Sequence, residues 1–165
     1  MRISLLILVL WFGCSPAFGQ SAEDGENLPL HQRPRPDTSV EDLNGIWVGE
    51  LTQNAGGIAD KFEFSMQLRQ NGMFMSGTSY VKLGEIWAEM ELSGYQLANG
   101  SWKLTETKIL RAQKPEDLSW CMKLYEVRAA YSPTGMTLHG PWWGSSEFGP
   151  CIPGSVRLKL SKKRA

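Results

Sequence analysis

Lys61-Phe62-Glu63-Phe64-Ser65-Met66-Gln67-Leu68-Arg69-Gln70 sits immediately before Asn71-Gly72. Phe62, Phe64, Met66 and Leu68 occupy alternate positions, with Glu63, Ser65, Gln67 and Arg69 between them. Successive side chains of a strand point to opposite faces, so this alternation predicts a strand with one face in a core and one in water. Asn-Gly tolerates the positive φ of a tight hairpin, which predicts that the chain turns straight back.

The same texture continues in both directions. Gly45 to Thr52 precedes it, ended by Asn54-Ala55-Gly56-Gly57. After the hairpin come Met73 to Leu83, Glu85 to Leu92, Ser101 to Leu110, Trp120 to Tyr131, Met136 to Trp143 and Val156 to Leu160, separated by turn signals such as Asn99-Gly100 and Pro133-Thr134-Gly135. No segment supports an amphipathic helix. Seventeen Gly and seven Trp among Thr, Ser and Val are turn-and-strand chemistry. The predicted class is all-β: an eight-stranded antiparallel up-and-down barrel, whose closure removes the sticky edges of an open sheet. A two-sheet β-sandwich is the alternative.

Ahead of this domain, predicted over residues 43–165, the texture differs. Met1-Arg2 and the apolar run Ile3 to Phe12 lead to Ala17-Phe18-Gly19, a small-x-small cleavage site before Gln20. Residues 1–19 therefore read as a signal peptide, too short in its apolar part to span a bilayer, for which about twenty residues are needed. Acylation of Cys14 is the rival reading, and both export the domain, to the periplasm or beyond, with no transmembrane segment in the mature chain. Residues 20–42, broken by Pro29, Pro34 and Pro36, read as a disordered leader.

Of three cysteines, Cys14 belongs to the signal, leaving Cys121 and Cys151 as an even pair in an oxidising compartment. Strand order brings both to one rim, so a disulfide is predicted. Lys plus Arg equals Asp plus Glu at 17 each, which gives no basic excess to draw the chain onto nucleic acid.

Ser39-Val40-Glu41-Asp42-Leu43-Asn44-Gly45-Ile46-Trp47 resembles the entry of the lipocalin and avidin group, where a short helical turn precedes Gly-x-Trp and the Trp plugs the closed end. Gly72 to Tyr80, with its Gly77-Thr78-Ser79-Tyr80, also resembles the avidin hairpin. The resemblance implies a calycin-type barrel with Trp47 at its closed end and Arg157 over it. It does not imply biotin binding, because Val48-Gly49 stands where avidins carry a polar residue. The pattern that includes Trp120-Cys121 and Cys151-x-Pro153-Gly154 is also similar to exported proteins of the Bacteroidetes type.

Chemistry is sparse. His139 is the only histidine inside the domain, which leaves no basis for a metal site or a nucleophile–histidine pair, so no catalytic residue, metal or cofactor is expected and the chain reads as a non-enzyme. The candidate ligand residues are Trp142, Trp143, Tyr80, Trp102, Glu106 and Arg128. Glu106 shares a strand face with Trp102 and Leu104, so it is expected inside, paired with Arg128 or Arg157 as an internal ion pair or a ligand contact. The interior face of strand six stays open: Glu126 and Arg128 follow Met122 and Leu124, whereas Tyr125, Val127 and Tyr131 take the other phase. Trp142 and Trp143 are adjacent on a strand, so one of them must face outward. The expected function is binding of a small apolar or aromatic ligand at the open end, formed by Trp142, Trp143 and the loop around Gly56-Gly57. The alternative is a protein-interaction module, an inhibitor or envelope scaffold with an envelope protein as partner.

Overall fold

A computed structural model describes residues 42–162; the predicted signal peptide and nearly all of the predicted leader lie outside them. The described chain forms β1 (Gly45–Gln53), β2 (Lys61–Asn71), β3 (Phe74–Leu83), β4 (Ile86–Gln96), β5 (Trp102–Gln113), β6 (Met122–Ser132), β7 (Gly135–Ser146), the two-residue β8 (Gly149–Pro150) and β9 (Gly154–Lys162). Each of β1 to β7 pairs antiparallel with the next, β9 pairs with both β7 and β1, and β8 folds back on the end of β7. Eight strands therefore close an up-and-down barrel, and the sandwich alternative does not form. The architecture is lipocalin-like.

The alternation read from β2 is the one observed: Phe64, Met66 and Leu68 are buried while Glu63, Ser65, Gln67 and Arg69 take the outer face. The hairpin differs by one residue. Asn71 pairs with Phe74, so Gly72-Met73 makes the turn, and Gly72 carries the positive φ of 60° that the first central position of a type II′ turn requires. Residues 42–44 enter β1 as irregular chain, and the earlier part of the stretch in which the resemblance implied a helical turn lies outside the described residues.

The strand directions define two ends. At one, Trp47 is fully buried and donates from Nε1 to the Leu43 carbonyl at 2.9 Å. The entry strap is fixed there by Gln70, whose amide N donates to Asn44 Oδ1 at 2.8 Å and whose Oε1 accepts from Leu43 N at 2.9 Å. Trp102, Leu68, Met75 and Leu104 are buried alongside in the core, so this end is closed as expected. Arg157 does not lie over Trp47. It alternates with the buried Val156 and Leu158, pairs in register with Glu50 and His139, and faces outward.

Close strand approach at glycine lets the wall bend. A Cβ on Gly140 would lie 2.0 Å from the Glu126 carbonyl oxygen, and one on Gly77 1.9 Å from that of Gln67. No side chain fits at either position.

The β5–β6 seam is the exception to even closure. Its ladder covers only Trp102↔Val127 through Thr105↔Leu124. Beyond it, β5 carries two bulges against β4, where Thr107 and Leu110 have no opposite number, and Thr107 to Gln113 are all exposed.

Candidate functional site

The end away from Trp47 is built by four connections: residues 54–60, Gly84-Glu85, residues 114–121 and the stretch between β7 and β9. Cys121 ends the third of these, just before β6, and Cys151 lies in the last. They are joined in a disulfide with a Cα–Cα distance of 6.2 Å, as parity and topology predicted. The loop after β1, which carries Gly56-Gly57, is tied down by three hydrogen bonds. Asn54 N donates to the Pro153 carbonyl at 2.9 Å, Gln53 Nε2 to the Ile152 carbonyl at 3.2 Å, and Gln53 N to the Asp60 carbonyl at 3.1 Å.

Between these loops lies a cavity of about 150 Å³. Its apolar wall includes Leu51, Phe62, Val81, Leu118 and the rings of Trp120 and Trp142, and the disulfide forms part of the rim. Trp142 is held by a bond from its Nε1 to the Thr52 carbonyl at 2.8 Å. Below, the barrel is filled by the contiguous buried core that runs down to Trp47.

Lys123 reaches the cavity wall and joins it to a buried polar cluster. Its ammonium is 3.4 Å from Glu106 Oε2, 3.0 Å from the Cys121 carbonyl and 5.9 Å from the centroid of the Trp142 ring, a cation–π distance. Glu106, only 4 % exposed, takes four donors: Ser79 Oγ at 2.7 Å and Tyr125 Oη at 2.6 Å on Oε1, and the Lys123 backbone N–H at 2.9 Å with the ammonium on Oε2. The carboxylate thus takes over at Lys123 N where the β5–β6 ladder stops. A buried carboxylate surrounded in this way is satisfied rather than reactive. Burial pushes the Tyr125 hydroxyl well above its ordinary value of 10.0, reinforced by the Glu106 charge and by the hydrogen bond to it.

The expected partners of Glu106 were Arg128 and Arg157; both are exposed on the outer wall, and the partner is Lys123. The inward face of β6 is therefore the phase of Lys123, Tyr125 and Val127. The other candidates separate. Trp142 lines the cavity and Glu106 lies beneath it, in contact through Lys123. Trp143 faces outward from β7 at 40 % exposure, so the adjacent pair divides between the two faces as predicted. Trp102 is buried at the closed end. Tyr80 lies half-buried on the outer wall, its ring 6.0 Å from that of Trp87, because Ser79 takes the inward position. Sequence reasoning missed Lys123, Trp120 and Gln53. The available signal for Lys123 was its phase, shared with Tyr125 and Val127.

Comparison of the chain with models of known families, with curated proteins and with solved structures finds no match. The strand order shows an eight-stranded antiparallel barrel consistent with a lipocalin-like fold, and no match supports the likeness to Bacteroidetes-type proteins.

Proposed function

We propose that this chain is an exported, non-enzymatic barrel that holds one small ligand, about the size of a single ring, at its disulfide-bearing end. The carrying observation is the aromatic cavity of about 150 Å³ between Trp120 and Trp142. Pockets for drug-sized molecules run from about 300 to 1,000 Å³, whereas an apolar cavity of about 150 Å³ accepts a benzene-sized guest. Long-chain or polycyclic cargo does not fit above so full a core. The disulfide fits delivery to an oxidising compartment. N-terminal sequencing of the mature protein, expected to begin at Gln20, tests the export reading.

Native mass spectrometry of protein purified from its own host tests the ligand reading: a retained adduct of roughly single-ring mass is expected. A bare protein whose tryptophan emission does not move in titrations with single-ring compounds refutes it. A second reading has its own support on the same rim. Trp143 and the Phe148 ring, 79 % exposed at the tip of the β7–β8 hairpin, present apolar surface outside the cavity, as a protein contact does.

A further inference from the structure

Charge is sorted along the barrel axis, although the chain as a whole is neutral. The connections at the mouth carry Asp60, Glu85, Glu116, Asp117 and Glu147, all exposed, against Lys114 alone. At the Trp47 end, the hairpin turns Gly72-Met73, residues 97–101 and Pro133-Thr134 hold no charged residue. Behind them stand the cations Arg69 on β2, Lys103 on β5 and Lys159 on β9. Arg69 and Lys159 are exposed and have no ion pair among the described residues. The sequence adds Lys162, Lys163 and Arg164 at and after the end of β9. The acids at this end are engaged: Asp42 accepts from Asn44 N and Nδ2, and Glu126 accepts from Ser101 Oγ at 3.0 Å.

Apolar side chains tip the same end. Met73 and Phe74 of the β2–β3 hairpin and Tyr131 on β6 are each more than half exposed. Tyr95 stands beside Phe74 in register, with Lys103 next on β5. Gln96 N donates to the Met73 carbonyl at 2.9 Å, which braces the hairpin against β4. Two depths result, an uncharged, partly aromatic tip and a cationic collar. Arg69 lies about 10 Å behind Gly72 by strand rise. This layering matches a lipid interface, where apolar and aromatic groups reach the headgroup–acyl boundary and Lys and Arg stay level with the phosphates. The outer face of β2 is polar, so the contact stops at the end of the barrel and does not climb the wall. An anionic surface would also repel the acidic mouth and so orient the molecule. We infer that the Trp47 end docks peripherally on an anionic lipid surface, with the cavity facing away from it. The docking uses only the outside of the barrel and holds whether or not the cavity carries a ligand.

Co-sedimentation of the unacylated mature chain with vesicles tests this. Binding is expected to vesicles of equal parts phosphatidylcholine and phosphatidylglycerol, not to phosphatidylcholine alone, and it should weaken as salt shortens the screening length. Arg69→Gln and Lys159→Gln should each weaken binding about fivefold, and Phe74→Ser about tenfold. Lys114→Gln, at the mouth, should leave it unchanged. All four side chains are exposed, and an unchanged thermal midpoint identifies each variant as folded. No binding of folded protein to the anionic vesicles at low salt overturns the inference and leaves an acidic protein as the occupant of this end. Equal binding to both kinds of vesicle overturns it too. So does binding that Lys114→Gln weakens as much as Lys159→Gln, or that Phe74→Ser leaves untouched, because the contact then lies elsewhere.

Discussion

Glu106 and Lys123 form a buried ion pair, yet their removal should not cost the same. Glu106→Leu strands the hydroxyls of Ser79 and Tyr125 and the backbone N–H of Lys123, and leaves the ammonium with the Cys121 carbonyl alone. A stranded buried group costs about 1–3 kcal/mol, and breaking a buried pair from one side about 3–5 kcal/mol, so with overlap between these terms the loss should be at least about 4 kcal/mol. Lys123→Met removes one donor of four. The two hydroxyls and the backbone N–H still solvate the carboxylate, so the expected loss is nearer to about 1–2 kcal/mol. Guanidinium denaturation at constant m-value measures both, at low temperature because domains are stable by only about 5–15 kcal/mol. A Lys123→Met loss equal to or above that of Glu106→Leu would show that the charge pair, rather than the hydrogen-bond cluster around the carboxylate, holds this part of the barrel.

Further outcomes follow from the same structure. The Tyr125 hydroxyl has its folded pKa raised above 10.0, so its contribution is fully present below pH 10 and is lost as pH rises through the folded value. Stability should therefore fall above about pH 10, and Tyr125→Phe should flatten that slope in pH-dependent denaturation. Reduction of Cys121–Cys151, which are 30 residues apart, should cost about 3–4 kcal/mol by the chain-entropy account, read as a shift in denaturation midpoint with and without reductant. Two reactive thiols in the denatured, unreduced mature chain would contradict the bond. Trp47→Ala should cost about 3–5 kcal/mol, whereas Trp143→Ala should stay within about 1 kcal/mol and instead weaken any rim contact, measured by calorimetry and pull-down side by side.

The fold was legible wherever one periodicity dominated. β2 alternates without a fault, adjacent tryptophans on β7 had to divide between faces, and an even count of returning strands put both cysteines at one end. Reading failed where both phases looked alike. β6 carries Met122 and Leu124 on one phase and Tyr125 and Val127 on the other, and only three-dimensional partners make Lys123 the inward cation. Arg157 shows a different fault. The alternation of Val156, Leu158 and Leu160 already placed it outside, and the expectation from lipocalin likeness overrode that evidence. The far half of β5 was cut short at Leu110 because two bulges break its period before Gln113. The cavity itself depends on how the loop of residues 114–121 lies over the mouth, which no local pattern encodes.

The short β5–β6 ladder gives this barrel a preferred place to come apart. Seven seams are long, while the eighth is laced over four residue pairs near the closed end and then finished by a single carboxylate. The covalent clamp at the mouth ties the start of β6 to the strap before β9 and leaves β5 unclamped. Opening should therefore run as an unrolling, with the β4–β5 edge peeling away first while the β6–β7–β9–β1 wall stays whole. Amide exchange would show it as a gradient along one strand: rapid from Thr107 to Gln113, slow from Trp102 to Thr105, with Glu106 at the boundary.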